Sequence, residues 1–529
     1  MVDDAYSKVS WLSATFSPLS NSVFRNIWMA GAASNMGAIV QAASAAWLMT
    51  TMTSSSVLIA SVQTAASLPL VLSAIPAGAA ADLYDKRLQM LLGNLVCLVA
   101  IIALVVMTLQ NELTPASLLV LTAIISLGFS AFLPAWHATV MEIVERRDLA
   151  ASISLNNLAY NIARAVGPAI GAEIISLFGI AIAFGLNGVT YLIMIGVLIS
   201  WRHQPPIKLL PPERIGRAMI DGLQFVRLSP GVRLHIIRGF LMTLTASSLL
   251  ALPPVVAVEL GLETRGFGIL LASFGGGAMA GALTVAWVRH FLAPQWQLFW
   301  AAICVATACF ALAFSSTLLT ASAALLLGGI GWIQSLSTLQ LAIQTSCPRW
   351  VLARTISVFS MTFALGIAIG SILWGVVASQ AGLISALLIS GLGQFAFSVF
   401  SSTRHFHSPD ESDLEPKIEI TDQCMLNIDP RSRPIWLTVE YNVPRSNVAS
   451  FRQAMREKAR IRRRDGARRW SLGQDVDDPN IWIERFQSPS WADYLHGYSR
   501  MLVSDISNDK QILSQCEGEP ILRRRMEIS

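Results

Sequence analysis

The chain has 529 residues, of which 53% are hydrophobic and only 13% charged, with a net charge of +5. Soluble globular chains carry roughly a quarter charged residues, so the composition excludes an ordinary soluble enzyme and points to repeated passage through hydrocarbon, where charge is costly. The six cysteines show neither a CxxC pair nor metal-ligand spacing, so no metal is expected. The start, "MVDDAYSKVSW", lacks the basic-then-apolar order of a cleavable signal peptide.

A spanning helix needs about 20 apolar residues. In chain order this predicts helices near 24–50, 57–81, 88–110, 115–144, 150–178, 180–201, 235–258, 266–290, 296–316, 319–345, 351–379 and 383–402, and a polar remainder at 403–529. With the N-terminus inside, the inner loops and helix ends hold Lys86, Arg87, Arg146, Arg147, Arg289, Arg349, Arg354 and seven basic residues between Arg202 and Arg238. The opposite loops hold only Arg265. This asymmetry predicts a multi-pass protein of the cytoplasmic membrane with both termini cytoplasmic.

A shift of 203 residues lays the first six spans on the last six without a gap. Gly78 meets Gly281, Gly128 meets Gly331, Gly167 meets Gly370 and Gly179 meets Gly382, while Arg146, Leu149 and Ser154 meet Arg349, Leu352 and Ser357. Six spans per half give both halves one orientation, a parallel repeat about an axis along the membrane normal. Such repeats place a substrate site between the halves and expose it alternately to each side. Transport is thus expected before any family is considered.

The loop after the second span reads "GAAADLYDKR", with Gly78, Asp82, Lys86 and Arg87. It resembles the signature of the major facilitator superfamily, although Leu83 and Asp85 stand where that pattern has a basic residue and a glycine. The "DKR" ending and the first span, "NMGAIVQAASAAWLMTTMTSSS", are similar to the exporter branch that contains siderophore and macrolide efflux proteins. The resemblance covers residues 20–405. It implies the major facilitator fold, efflux coupled to proton entry, and a conformational switch in which Asp82 pairs across the seam between the halves.

The fifth span holds "NLAYNIARAVGPAIGAE". At 100° per residue Asn157, Asn161, Arg164, Pro168 and Gly171 share one face, flanked by Tyr160 and Gly167. A lipid-facing arginine at mid-span costs at least about 2.5–3.5 kcal/mol, so this face must meet protein or water. The order Arg164, Gly167, Pro168, Gly171 resembles the antiporter motif of the superfamily's exporters. The other reading is a packing seam with Arg164 satisfied by backbone carbonyls. Glu173 falls opposite the stripe, near the outer end, as an interfacial carboxylate.

Polar groups in otherwise apolar spans are the candidate substrate cavity: Asn35, Gln41, Trp136, His137, Asn157, Asn161, Gln334 and Gln340. Each could instead be an interhelical hydrogen bond. His137 is a candidate proton relay, or a satisfied buried histidine. No carboxylate in the first span marks the proton site. "FGGGAMAGAL" at 274–283 lies inside the eighth span with no preceding strand, so close helix packing is expected there and not a nucleotide loop.

The tail alternates as strand, helix, strand, strand, helix, strand, which predicts a ferredoxin-like α+β domain. "WIERFQSPSWADYLHGYSR" resembles the small antibiotic-biosynthesis monooxygenase fold, and one His496 does not make an active site. The basic helix between Arg452 and Arg469 suits anionic lipid or a solvated face better than nucleic acid.

The expected fold is therefore an all-α polytopic membrane protein, twelve transmembrane helices in two six-helix parallel repeats, plus a small α+β ferredoxin-like domain. The expected divisions are 1–201, an inter-bundle loop at 202–234, 235–402, a linker at 403–434, and 435–529. The expected function is export of a small amphiphilic molecule (siderophore, antibiotic or drug-like) by alternating access. Expected partners are that substrate, protons, the lipid bilayer and, through the tail, a second copy; no nucleic acid, cofactor or catalytic residue is expected. The competing readings are a membrane-anchored sensor or enzyme working through the tail, and an importer of the same superfamily.

Overall fold

A computed structural model describes residues 16–83, 85–145, 148–201, 223–403, 434–464, 466–491, 494 and 503–526. The first half contains α1 (Ser22–Met52), α2 (Ser56–Leu83), α3 (Lys86–Leu109), α4 (Pro115–Ile143), α5 (Leu149–Phe178) and α6 (Ile180–Ser200). Each follows a predicted span to within a few residues. Local chemistry sets the starts. Asn21 caps α1 by accepting from the backbone N–H of Val23 and Phe24, at 2.9 and 3.2 Å. Thr114 and Ser117 form a reciprocal capping box at α4.

The seventh span begins earlier than expected and is broken. It runs as α7 (Pro230–Ala246), α8 (Ser248–Ala251) and α9 (Pro253–Glu259). Pro253 and Pro254 remove two consecutive N–H donors at the start of α9, where the span breaks, whereas the single prolines Pro134 and Pro168 are accommodated inside α4 and α5. The rest are α10 (Thr264–Phe291), α11 (Pro294–Ala313), α12 (Leu318–Ser346), α13 (Arg349–Ala381) and α14 (Leu383–Ser402). Among the described residues nine helices are long and apolar enough to cross a membrane. Helices α1 and α5 fall short because of their Asn, Gln, Ser and Arg residues, and α5 carries the antiporter-like stripe.

The 203-residue repeat recurs in the backbone. Gly179 and Gly382 join α5 to α6 and α13 to α14 with φ of +84° and +86°, a conformation open to glycine. Gly167 lies against Met36 and Ile39 of α1, and Gly370 against Leu244 and Ser247 of the seventh span.

The chain divides into two compact units, one of residues 1–212, 236–340 and 359–405, the other of 213–235, 341–358 and 406–529. In the second, β1 (Ile435–Asn442), α15 (Val448–Arg464), β2 (Arg468–Gln474), β3 (Ile481–Ser488), α16 (Val503–Leu513) and β4 (Ile521–Met526) form a four-stranded antiparallel sheet in the order β2-β3-β1-β4. That is the ferredoxin-like order read from the β2 edge. Val439, Tyr441, Phe451, Met455, Trp482 and Ile512 make its core. His496 lies outside the described residues.

Candidate functional site

The seam between the halves is built from small residues. A Cβ on Gly275 of α10 would strike the Arg164 carbonyl, with the carbonyl carbon at 2.8 Å and the Ala165 Cα at 2.9 Å. One on Gly268 would strike Ala172 and lie 3.0 Å from the Pro168 carbonyl oxygen. Gly268 and Gly275 are seven residues apart, two helical turns, so they share a face. Backbone thus meets backbone along α5 and α10, an approach that only missing side chains permit. Gly171 turns the other way, its Cβ position 3.2 Å from Val40 of α1. The α5 stripe therefore lies between α1 and α10.

Arg164 is half-buried in that crevice. Its guanidinium lies 5.3 Å from the centre of the Phe274 ring of α10, within cation–π range. One turn from the end of α5, Arg265 donates two hydrogen bonds to Glu173, at 2.9 and 2.8 Å. Trp47 of α1 stacks on Phe267 at 5.3 Å. The symmetry-related seam joins α2 to α13. There Thr64 Oγ1 donates to the Ala368 carbonyl at 2.9 Å, and a Cβ on Gly375 would meet Ala60 at 2.8 Å. Glu173, Trp47 and Thr64 sit toward the α5–α6 and α1–α2 ends of their helices.

The "FGGGAMAGAL" run divides its glycines between neighbours, as close packing requires. Gly275 faces α5, whereas Gly277 meets the Leu326 backbone and Gly281 the Ile330 backbone of α12. Nothing lies within 4 Å of a Cβ on Gly276.

Other predicted residues behave differently. Trp136 is core, 7% exposed, packed with Ile27, Val140 and Leu198 and stacked on Phe24 at 6.2 Å. Gln334 is interhelical glue: it donates to the Gly281 carbonyl at 3.0 Å and accepts from Gln297 at 2.8 Å. Gln41 is buried, with its Nε2 unpaired. Asn35 and Asn161 are half-buried, and His137, Asn157 and Gln340 are exposed. Asn157 and Asn161 continue the Arg164 stripe away from the seam contacts.

The "DKR" ending anchors within the first half. Asp85 caps α3 by accepting from the Arg87 N–H at 2.8 Å. Arg87 donates to the Leu198 and Ile199 carbonyls at 2.7 and 2.8 Å, satisfying the end of α6. Lys86 pairs with Glu142 at the end of α4. These contacts do not cross the seam. The side chains of Gly78 and Asp82 lie outside the described residues.

In the tail, Glu484 is fully buried and accepts from Tyr441 and Trp470, both at 2.9 Å, and from Arg462 at 3.3 Å. Burial alone would raise its carboxyl, but Arg462, Trp470 and Lys458 outweigh it and hold the pKa below the ordinary value. Burial pushes the Tyr441 hydroxyl upward, and the Glu484 charge adds to that. Lys458 pairs with Asp509. Among the described residues no cluster of His, Cys, Asp and Glu could hold a metal.

The model of the transmembrane secretion effector family matches residues 13–528. The chain belongs to that family. The match takes in the tail as well as the helices of this secretion-effector chain. The enterobactin exporter EntS of Citrobacter koseri is 25% identical over 60% of this chain and 76% of its own length. EntS of Shigella flexneri is 26% identical over 61% and 77%. Among solved structures, the nucleoside transporter NupG superposes with a TM-score of 0.59 at 11% identity, covering 72% of this chain and 98% of its own. An inward-facing bacterial homologue of the lysosomal transporter Spinster gives 0.57 at 12%, covering 73% and 97%. Family and fold together make this a major facilitator transporter and not an enzyme.

Neither Phe274 nor the pairing of Glu173 with Arg265 was evident from sequence. The signals were there: Gly268 and Gly275 at a two-turn spacing, and Arg265 as the lone basic residue of its side.

Proposed function

We propose that this chain is a secondary transporter that exports a small amphiphilic molecule by alternating access, with efflux coupled to proton entry. The single observation that carries the reading is the backbone-to-backbone approach of Gly275 to Arg164, with the guanidinium on Phe274. It supports reading the antiporter-like stripe as part of a seam that opens and closes. With both termini cytoplasmic, the contacts at Glu173–Arg265, Trp47–Phe267 and Thr64–Ala368 seal the outer side. The stripe then continues inward through Asn161 and Asn157, where cargo would be received. Glu173 is engaged with Arg265, which leaves His137 the candidate relay. The enterobactin exporters among its relatives favour a siderophore-like cargo.

The test is uptake into inside-out vesicles, with and without an imposed proton gradient, across siderophores, macrolides and dyes. Gradient-dependent uptake of at least one class is expected. Uptake indifferent to the gradient removes proton coupling, and an absence of uptake across all classes removes the export reading.

A further inference from the structure

A cavity of about 440 Å³ lies where the turn between α1 and α2 meets α9. Residues from Thr50 to Ile59 supply one wall and Val255, Val258 and Glu259 the other, all within the first compact unit. The size suits a small organic molecule. Its polar wall is rich in acceptors. Thr50 Oγ1 and Thr51 Oγ1 donate to the Trp47 and Leu48 carbonyls of their own helix, at 2.7 and 2.8 Å. Their protons are thereby committed, so each hydroxyl has only lone pairs left to offer. Helix α1 ends and α2 begins at this turn, so their opposed terminal partial charges largely cancel. Among the described residues Glu259 is the one charge lining the cavity, and its carboxylate has no hydrogen-bond or ion-pair partner. That full charge sets the sign. The buried Ile59 and Val255, with Val258, make the remaining surface apolar. A metal ion gains nothing from such a wall, and one carboxylate with two hydroxyls is a thin oxygen shell for it. An ammonium on an apolar body uses both, with its N–H groups on the acceptors and its body on Ile59 and Val258.

The two walls come from opposite halves of the repeat, α1 and α2 from the first and α9 from the second. The seam contacts begin directly beside them. Trp47, one turn from Thr50, stacks on Phe267. Ala60, next to Ile59, is the residue that a Cβ on Gly375 would meet. Separating the halves here therefore pulls the walls of the cavity apart. We infer that this cavity binds an amphiphilic primary ammonium and is complete only while the seam is closed, so that its occupant holds the transporter shut on this side. The inference rests on the alternating-access reading, which makes this the outer side. A ligand bound by one conformation and not by the other shifts the population toward the first. Two sources carry this chemistry, a soluble amine and the ethanolamine headgroup of a lipid.

Titration of phenethylammonium onto the purified full-length protein in phosphatidylcholine nanodiscs, read by ligand-observed NMR against empty nanodiscs, tests this without any cargo. Saturable binding is expected, and phenethyl alcohol, close in shape but uncharged, should bind more weakly. Glu259→Gln should weaken the amine by roughly three- to fivefold, the scale of an exposed charge pair. Glu112→Gln, at another exposed carboxylate that does not line the cavity, should leave the affinity unchanged. Bound amine should slow hydrogen exchange at residues 51–59 and 255–262 together. Equal losses in the two variants, or equal affinity for amine and alcohol, overturn the site. Slowing on one wall alone overturns the closure of the seam by the ligand. In nanodiscs containing phosphatidylethanolamine, a weaker apparent affinity supports the site with the headgroup as competitor, and an unchanged one supports it with the soluble amine as occupant. Since no transport is measured, failure here is distinct from failure of the export reading in vesicles.

Discussion

Arg265 holds Glu173 through two parallel hydrogen bonds, joining the end of α5 to the start of α10 across the seam. The arginine is the only basic residue predicted for its side of the membrane, and the glutamate points away from the arginine of its own helix. Each side chain is about half exposed, at 56% and 48%. An exposed pair contributes about 0.2–1 kcal/mol, too little to matter for folding but enough to bias two near-equal conformations. Glu173→Gln and Arg265→Gln should each change the initial transport rate by about two- to fivefold. The double variant should resemble either single one, and strictly multiplicative effects would show that the two residues act independently.

Gly275 offers the sharpest steric test. Gly275→Ala places a methyl group into the Arg164 carbonyl, where only backbone can yield. Overpacking of ~1–3 kcal/mol should depopulate the sealed state by roughly fivefold to a hundredfold. Gly276→Ala is the control, since its Cβ meets nothing. Labelling of a cysteine in α1 by an impermeant maleimide from the outer side should rise in the first variant and stay at the parental level in the second. Equal labelling would mean that α5 and α10 separate without cost.

Arg164→Ala should reduce efflux strongly, because the Phe274 face then loses its cation and Asn157 and Asn161 lose a charged neighbour. Phe274→Leu keeps the volume and removes the ring quadrupole, so a smaller loss is expected, in line with about 0.5–2 kcal/mol for the contact. Efflux at the parental level in Arg164→Ala would take the residue out of the transport machinery.

The tail should be acid-sensitive through Glu484. Its folded-state pKa is depressed relative to about 4.3 in an unfolded chain, so its stabilisation is complete above that value. The stabilisation is lost as pH falls through the folded-state pKa. Glu484→Gln removes the buried counter-charge of Arg462, whose side chain is 23% exposed, so the loss should fall below the about 3–5 kcal/mol of a fully buried pair. Calorimetry of the full chain from pH 6 to 3 should show the tail's transition falling in the parent. In the variant that transition should be low throughout and flatter with pH. A parallel pH dependence in both would assign the acid sensitivity to other groups.

The sequence by itself determined the extent of the membrane helices apart from the broken seventh span, the 203-residue repeat, and the order of strands and helices along the tail. These follow from local signals: apolar run length, alternation, and glycines such as Gly179 and Gly382 at junctions requiring positive φ. Only the tertiary structure decided the partners. For Trp136 and Gln334, polarity in an apolar span is equally consistent with a cavity and with packing, and only the structure supplied their neighbours Phe24, Gln297 and Gly281. Arg87 read as a switch residue, yet the α6 carbonyls it caps lie more than a hundred residues away. That the seventh span breaks before Pro253 came from the structure, as did the hold of Arg460 on its approach segment, since a tie between distant helix ends leaves no periodic trace. Arg164 announced that its helix face could not meet lipid; that the face meets Phe274 and the bare backbone of Gly275 was settled by how two helices, a hundred residues apart in the chain, come into contact.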